Sequence, residues 1–224
     1  MKIRLGVIGE EETINILQEV IEEYNDYEIT AFIDPDGTHT LNIIDNHQQE
    51  FDSWLVFDQI NYLHIKNWGK AQKPVYYIPY RGASFYKTLC TAIYQGFKID
   101  ELSIDTIPYY DITRALDDMQ INYNVINHLS DEHGALSLNG YAAFHRELFK
   151  KGITKAAVTK SCYVKSLLES EGIPAFCIMP VRVTVRNILN VILTQFRIKN
   201  SGKAKLPCKY SALICWEIKI IFIP

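Results

Sequence analysis

No apolar run in the 224 residues approaches the ~18 needed to cross a bilayer. The chain passes from Met1-Lys2 straight into IRLGVIG, too short and too strand-like for a secretory signal, so a cytoplasmic protein is expected. Cysteine is sparse: Cys90, Cys162, Cys177, Cys208 and Cys215 lie far apart, odd in number and without a CxxC pair. A disulfide framework or zinc knuckle is therefore not expected, and a reducing compartment is the simpler context. Phosphate and nucleophile signatures are missing as well. Gly6-Val7-Ile8-Gly9 is not GxGxxG, and neither GxxxxGK[ST] nor GxSxG occurs. The histidines (His39, His47, His64, His128, His133, His145) show no ligand spacing and read as surface or capping residues. No metal and no cofactor are expected.

Charge of one sign is scarce only locally. Residues 197–224 carry six Lys/Arg against Glu217, a net +5, which leaves −8 on the first 196 residues. An acidic body is a poor nucleic-acid surface, because phosphate neutralisation needs clustered cations. No direct nucleic-acid contact and no membrane are expected.

What is present is alternation. Strand-like stretches at 3–9, 28–33, 53–57, 75–79, 101–106, 122–126, 155–159 and 175–179 alternate with stretches of helical period. Short connections between them are the signature of βαβ units with parallel strands. Ile14, Leu17, Ile21 and Tyr24 fall on one helical face, as do Phe85, Leu89, Ala92 and Ile93 on the helix over 81–95. The expected fold is α/β, with two Rossmann-like βα lobes, mostly parallel sheets and an inter-lobe cleft. The lobes are set at 1–96 and 97–180, hinged near 95–99, with a helix over 181–196 whose return to the first lobe the sequence leaves open.

Residues 197–224 break this style, with no amphipathic period and an apolar end. An edge strand or a basic membrane-touching segment is one reading. The favoured one is a frameshift, since the stretch from Lys203 reads in another frame as SKIAVQIFRVDMLGDKDNFY, which alternates as a strand would.

In parallel sheets, ligands bind beyond the carboxyl ends of the strands. The turns of interest are Gly9-Glu10, Asp58-Gln59, residues 80–84, Asp105-Thr106, residues 159–161 and residues 180–182. Arg81, Gly82, Ala83 and Ser84 combine a cation, a glycine that allows close approach and a helix start, which suits a carboxylate or phosphate. A solvated Arg81 with Ser84 as a cap is the plain alternative. Thr159, Lys160 and Ser161 repeat the logic in the second lobe, with Ser161 as a cap. Arg182 precedes the last helix. Cys162 opens a helix, a setting that can lower a thiol pKa, but a structural role is the simpler reading.

These elements resemble the N-terminal sensor domain of propionate-catabolism regulators and related sensor regions of Gram-positive transcriptional regulators. The resemblance spans about 1–195 and rests on YIPYRGASFYKTL (77–89), AAVTKSCYVKSLLESEGIPAFCI (156–178) and MPVRVTVRNIL (179–189). It implies a two-lobed receptor whose strand-end turns, here Arg81 to Ser84 and Thr159 to Ser161, line the ligand site. No ATPase module and no helix-turn-helix follow within these residues, so a sensor truncated before its effector region is expected. Its partner would be a small anionic metabolite, with a homodimer left open. A lyase or isomerase of small carboxylates in the same cleft, and a ligand-free interaction remnant, are the alternatives.

Overall fold

The computed structural model describes residues 2–57, 59–80, 82–130 and 136–200. The chain divides into two compact units. The first takes the chain up to Pro79 and again from Pro180, and the second is Tyr80–Met179. The sequence reading set its boundary at 96; the observed division places the helix Ala83–Tyr94 with the second unit.

The first unit runs β1 (Ile3–Gly9), α1 (Glu11–Ile21), β2 (Tyr27–Ile33), α2 (Thr40–His47), β3 (Ser53–Val56), α3 (Gln59–Trp68) and β4 (Val75–Tyr77). Its four strands are parallel, in the order β2-β1-β3-β4. Strand alternation divides the side chains between two faces. Ile8, Trp54 and Val56 pack with Ile44 of α2 and with Tyr62 and Ile65 of α3. Gly6 pairs in register with Trp54, and a Cβ there would lie 2.5 Å from the indole ring. Glycine is needed at that position for space, not for backbone freedom.

The last helix belongs to this unit. We label it α8 (Arg182–Asn200), and its face of Val185, Ile188, Leu189 and Ile192 is buried. Tyr27 donates its hydroxyl to the Leu189 carbonyl, and Tyr76 donates to Gln195 Oε1 at 2.9 Å. Burial pushes the Tyr76 phenol up to about 12 and raises Tyr27 as well. Arg186 pairs with Glu23 and Arg197 with Asp26 on the rim, exposed contacts that add little stability each. Residues 197–200, expected to open the anomalous tail, form the last turn of α8; residues 201–224 lie outside the described residues.

The second unit runs α4 (Ala83–Tyr94), a 3-10 turn (Ile99–Glu101), β5 (Leu102–Asp105), α5 (Tyr109–Asp118), β6 (Asn127–Leu129), α6 (Leu138–Lys150), β7 (Ala156–Thr159), α7 (Cys162–Ser170) and β8 (Ala175–Cys177). Its sheet has the order β6-β5-β7-β8, again all parallel, so the two units share one topology. Helices α6 and α7 cover one face through Tyr141, Ala142, Val164 and Leu168 against Ala157 and Ala175. Helix α4 packs near β8, and Tyr86 on it donates to Asp118 at the end of α5. The strand expected over 122–126 forms later, at Asn127–Leu129. Asp100 accepts the backbone N–H groups of Asn124 and Val125, at 2.8 and 3.1 Å, and so holds that stretch as a loop.

Candidate functional site

Each sheet changes direction beside its first strand. In the second unit the chain leaves β5 for β6 on one side and reaches β7 on the other. The switch point therefore lies between the carboxyl ends of β5 and β7, the place where open α/β sheets bind ligands. Two turns meet there.

The β5 turn is strained. Thr106 adopts φ 56°, a left-handed conformation that a β-branched residue rarely takes, and the Ile107 N–H returns to the Asp105 carbonyl at 2.6 Å. Such a conformation costs about 1–3 kcal/mol and persists only where its surroundings fix it. Here they do. The Thr106 hydroxyl donates to Asp105 Oδ1 at 2.8 Å, the Thr106 N–H to the Leu129 carbonyl at 3.0 Å, and the His128 ring to the Ile107 carbonyl at 2.6 Å.

Asp105 connects this turn to the interior and to its neighbour. Its side chain is fully buried. Oδ1 accepts the backbone N–H of Lys160 at 3.4 Å, and Oδ2 accepts from His145 Nε2 at 3.0 Å. The other ring nitrogen of His145 lies 2.7 Å from Ser103 Oγ, which is also 3.2 Å from the Ala156 carbonyl. Ser103 and Asp105 are two residues apart on β5, so both point to the face that α6 covers. His145 was expected at the surface or as a cap. It is fully buried, because it sits on the inner face of α6 opposite these two polar side chains.

The β7 turn carries the three residues chosen from sequence. Thr159 is buried and its hydroxyl accepts the Ser161 N–H at 3.3 Å. Ser161 caps α7 by accepting the Val164 N–H at 3.3 Å, as the capping pattern required. Lys160 stands between them, half-buried.

Arg81 and Asp58 lie outside the described residues, as does His133. Gly82, at φ 67°, caps the start of α4, with Ala83 exposed beside it and Ser84 fully buried. The Ser84 carbonyl accepts from Thr88 Oγ1 at 3.1 Å. Arg182 pairs with Glu19 of α1, with both side chains more than half exposed.

One expectation is overturned. Cys162 and Cys177 form a disulfide, with Cα atoms 5.4 Å apart. The reason is register: Thr159 pairs with Cys177, so the first residue of α7 and the last of β8 arrive at adjacent strand ends despite a sequence separation of 15.

No family model and no curated protein matches the sequence. Solved structures do share its fold. An NtrC family transcriptional regulator from Clostridium acetobutylicum superposes with TM-score 0.65 and 13% identity, over 89% of this chain and 99% of that one. The common ground is the architecture. Looser likenesses are an ABC transporter periplasmic solute binding protein from Actinobacillus succinogenes with bound D-allose (TM-score 0.45, 12% identity, 92% and 94% covered) and a LacI family regulator from Weissella paramesenteroides with bound sucrose (0.39, 14%, 76% and 75%). Among the described residues no helix is long and apolar enough to cross a membrane.

Proposed function

We propose that this chain is the ligand-sensing part of a cytoplasmic transcriptional regulator and that it binds a small anionic metabolite at its strand carboxyl ends. The observation that carries the reading is the switch point of the second unit, where Lys160 and the start of α7 adjoin a strained turn. A helix start presents positive potential, and a lysine beside it adds a formal charge. The fold shared with an NtrC family regulator supports a regulatory role. We include Arg81 in the same proposal, on its position after β4 and before Gly82 at the start of α4.

The Ser103, His145 and Asp105 contacts do not favour a lyase or isomerase. All three side chains are closed to solvent, so no substrate reaches the Ser103 hydroxyl. Their geometry suits a brace for the two turns.

The test is a thermal-shift screen of mono- and dicarboxylates, sugar phosphates and neutral sugars, followed by titration of the best binder. A charge-assisted hydrogen bond is worth about 1.5–3 kcal/mol, so Lys160→Ala should raise Kd by about ten- to a hundredfold. Unchanged affinity in both Lys160→Ala and Arg81→Ala would move the site elsewhere. Binding only of neutral sugars would keep the sensor and remove the anion.

A further inference from the structure

The disulfide has a third sulfur beside it. Met179 Sδ lies 3.2 Å from Cys162 Sγ, two residues beyond Cys177 at the same edge of the β7–β8 pair. A structural disulfide needs no such neighbour, and the carboxyl edge of the sheet is where ligands are taken up. Cys162 is the first residue of the nine-residue helix α7. When the pair is reduced, the positive end of that helix favours its thiolate. Cα atoms 5.4 Å apart allow two thiolates to share one ion.

We propose that reduced Cys162 and Cys177, together with Met179, form a binding site for a soft metal ion, Cu(I). The three sulfurs set the preference. Two thiolates and a neutral thioether suit a soft monovalent cation, whereas Zn(II) takes four ligands and favours nitrogen, oxygen or thiolate over thioether. The site is independent of the metabolite reading and stands or falls without it. Loading requires reduction first. A phosphine breaks the S–S bond with two electrons and becomes its oxide, taking oxygen from water, whose two protons go to the thiols. Cu(I) then displaces both protons as two Cu–S bonds form.

The full chain carrying Cys90→Ser, Cys208→Ser and Cys215→Ser, reduced with a phosphine and kept anaerobic, is titrated against Cu(I) bicinchoninate. It should withdraw one equivalent of copper. Adding Cys162→Ser or Cys177→Ser should weaken uptake by about a hundredfold or more, and Met179→Leu by about tenfold, with X-ray absorption falling from three sulfurs to two. No withdrawal by the parent, or retention of copper by both serine variants, overturns the site. An unchanged affinity and sulfur count in Met179→Leu overturns the third ligand and with it the preference for Cu(I). Should the serine variants fail to fold, alkylation of the unsubstituted reduced chain gives a second reading. Cu(I) should shield Cys162 and Cys177 from iodoacetamide, and equal labelling with and without copper overturns the proposal.

Discussion

His145 Nε2 stands 3.0 Å from Asp105 Oδ2 with both side chains fully buried, so one helix and one strand end of the second unit are joined by a bond that water cannot replace. Removing one partner of a buried hydrogen-bonded pair costs about 1–3 kcal/mol, because the other stays desolvated. His145→Ala should therefore fall near the lower end of that range, since Asp105 keeps the Thr106 hydroxyl and the Lys160 N–H. Urea denaturation of His145→Ala, Asp105→Asn and the double variant checks this. Strong non-additivity is expected, and simple addition of the two losses would show that the pair does not act as a unit.

Gly6 offers a cleaner probe of the first unit. Its Cβ would meet two indole carbons of Trp54 at 2.5 Å, and Trp54 is itself fully buried among Phe51, Ile44 and Ile65. The ring has nowhere to withdraw. Gly6→Ala should cost about 1–3 kcal/mol, the usual range for overpacking. At Gly82 a Cβ meets nothing within 4 Å, so any cost of Gly82→Ala comes from φ 67° alone. Comparing the two by thermal unfolding separates crowding from backbone strain, and a Gly6→Ala chain as stable as its parent would refute the crowding.

Much of this architecture is legible because period and burial agree. The strand at 3–9 and the helix over 81–95 are drawn by apolar spacing that the sheet and its covering helices then use. Ser161 as a cap is legible for the same local reason. The buried brace is not, since His145 pairs with residues 40 and 42 positions away. Its one signal was a polar residue at each of two alternate positions, Ser103 and Asp105, in an otherwise apolar strand. The disulfide is hidden too, because only the register of β7 with β8 brings Cys177 to Cys162. The strand at 122–126 fails on a single side chain, Asp100, which captures the N–H groups a strand would have used.

That capture gives a pH dependence. Asp100 is held below the usual carboxylate range, first by the Val125 N–H, then by the N–H and side-chain amide of Asn124, against a smaller opposing effect of desolvation. A carboxylate lowered on folding contributes stability that is fully present above its unfolded value, about 3.9, and is lost as pH falls through the folded value. The parent should therefore exceed Asp100→Asn in stability at pH 7, and the gap should close below about pH 4. Denaturation midpoints at a series of pH values test this, and a gap that persists at low pH would show that the carboxylate charge is not its source.

The last helix is the largest wager on the first unit. Val185, Ile188, Leu189 and Ile192 are at most 1% exposed. Each buried side chain of this size contributes about 1.5–3 kcal/mol. Four of them together rival the whole stability of a domain, about 5–15 kcal/mol. The hydroxyls of Tyr27 and Tyr76 would also lose their partners on α8. A chain ending at Met179 should therefore lose cooperative unfolding of its first unit, which Trp54 fluorescence would report alongside Trp68. A chain ending at Asn200 keeps every one of these contacts and should unfold as sharply as the full one. Leu189→Ala, which trims one side chain from the centre of the face, should cost about 2–5 kcal/mol. Cooperative unfolding of the Met179 truncation would show that the sheet with α1 to α3 is self-sufficient, and a broadened transition in the Asn200 truncation would assign the missing stability to residues 201–224.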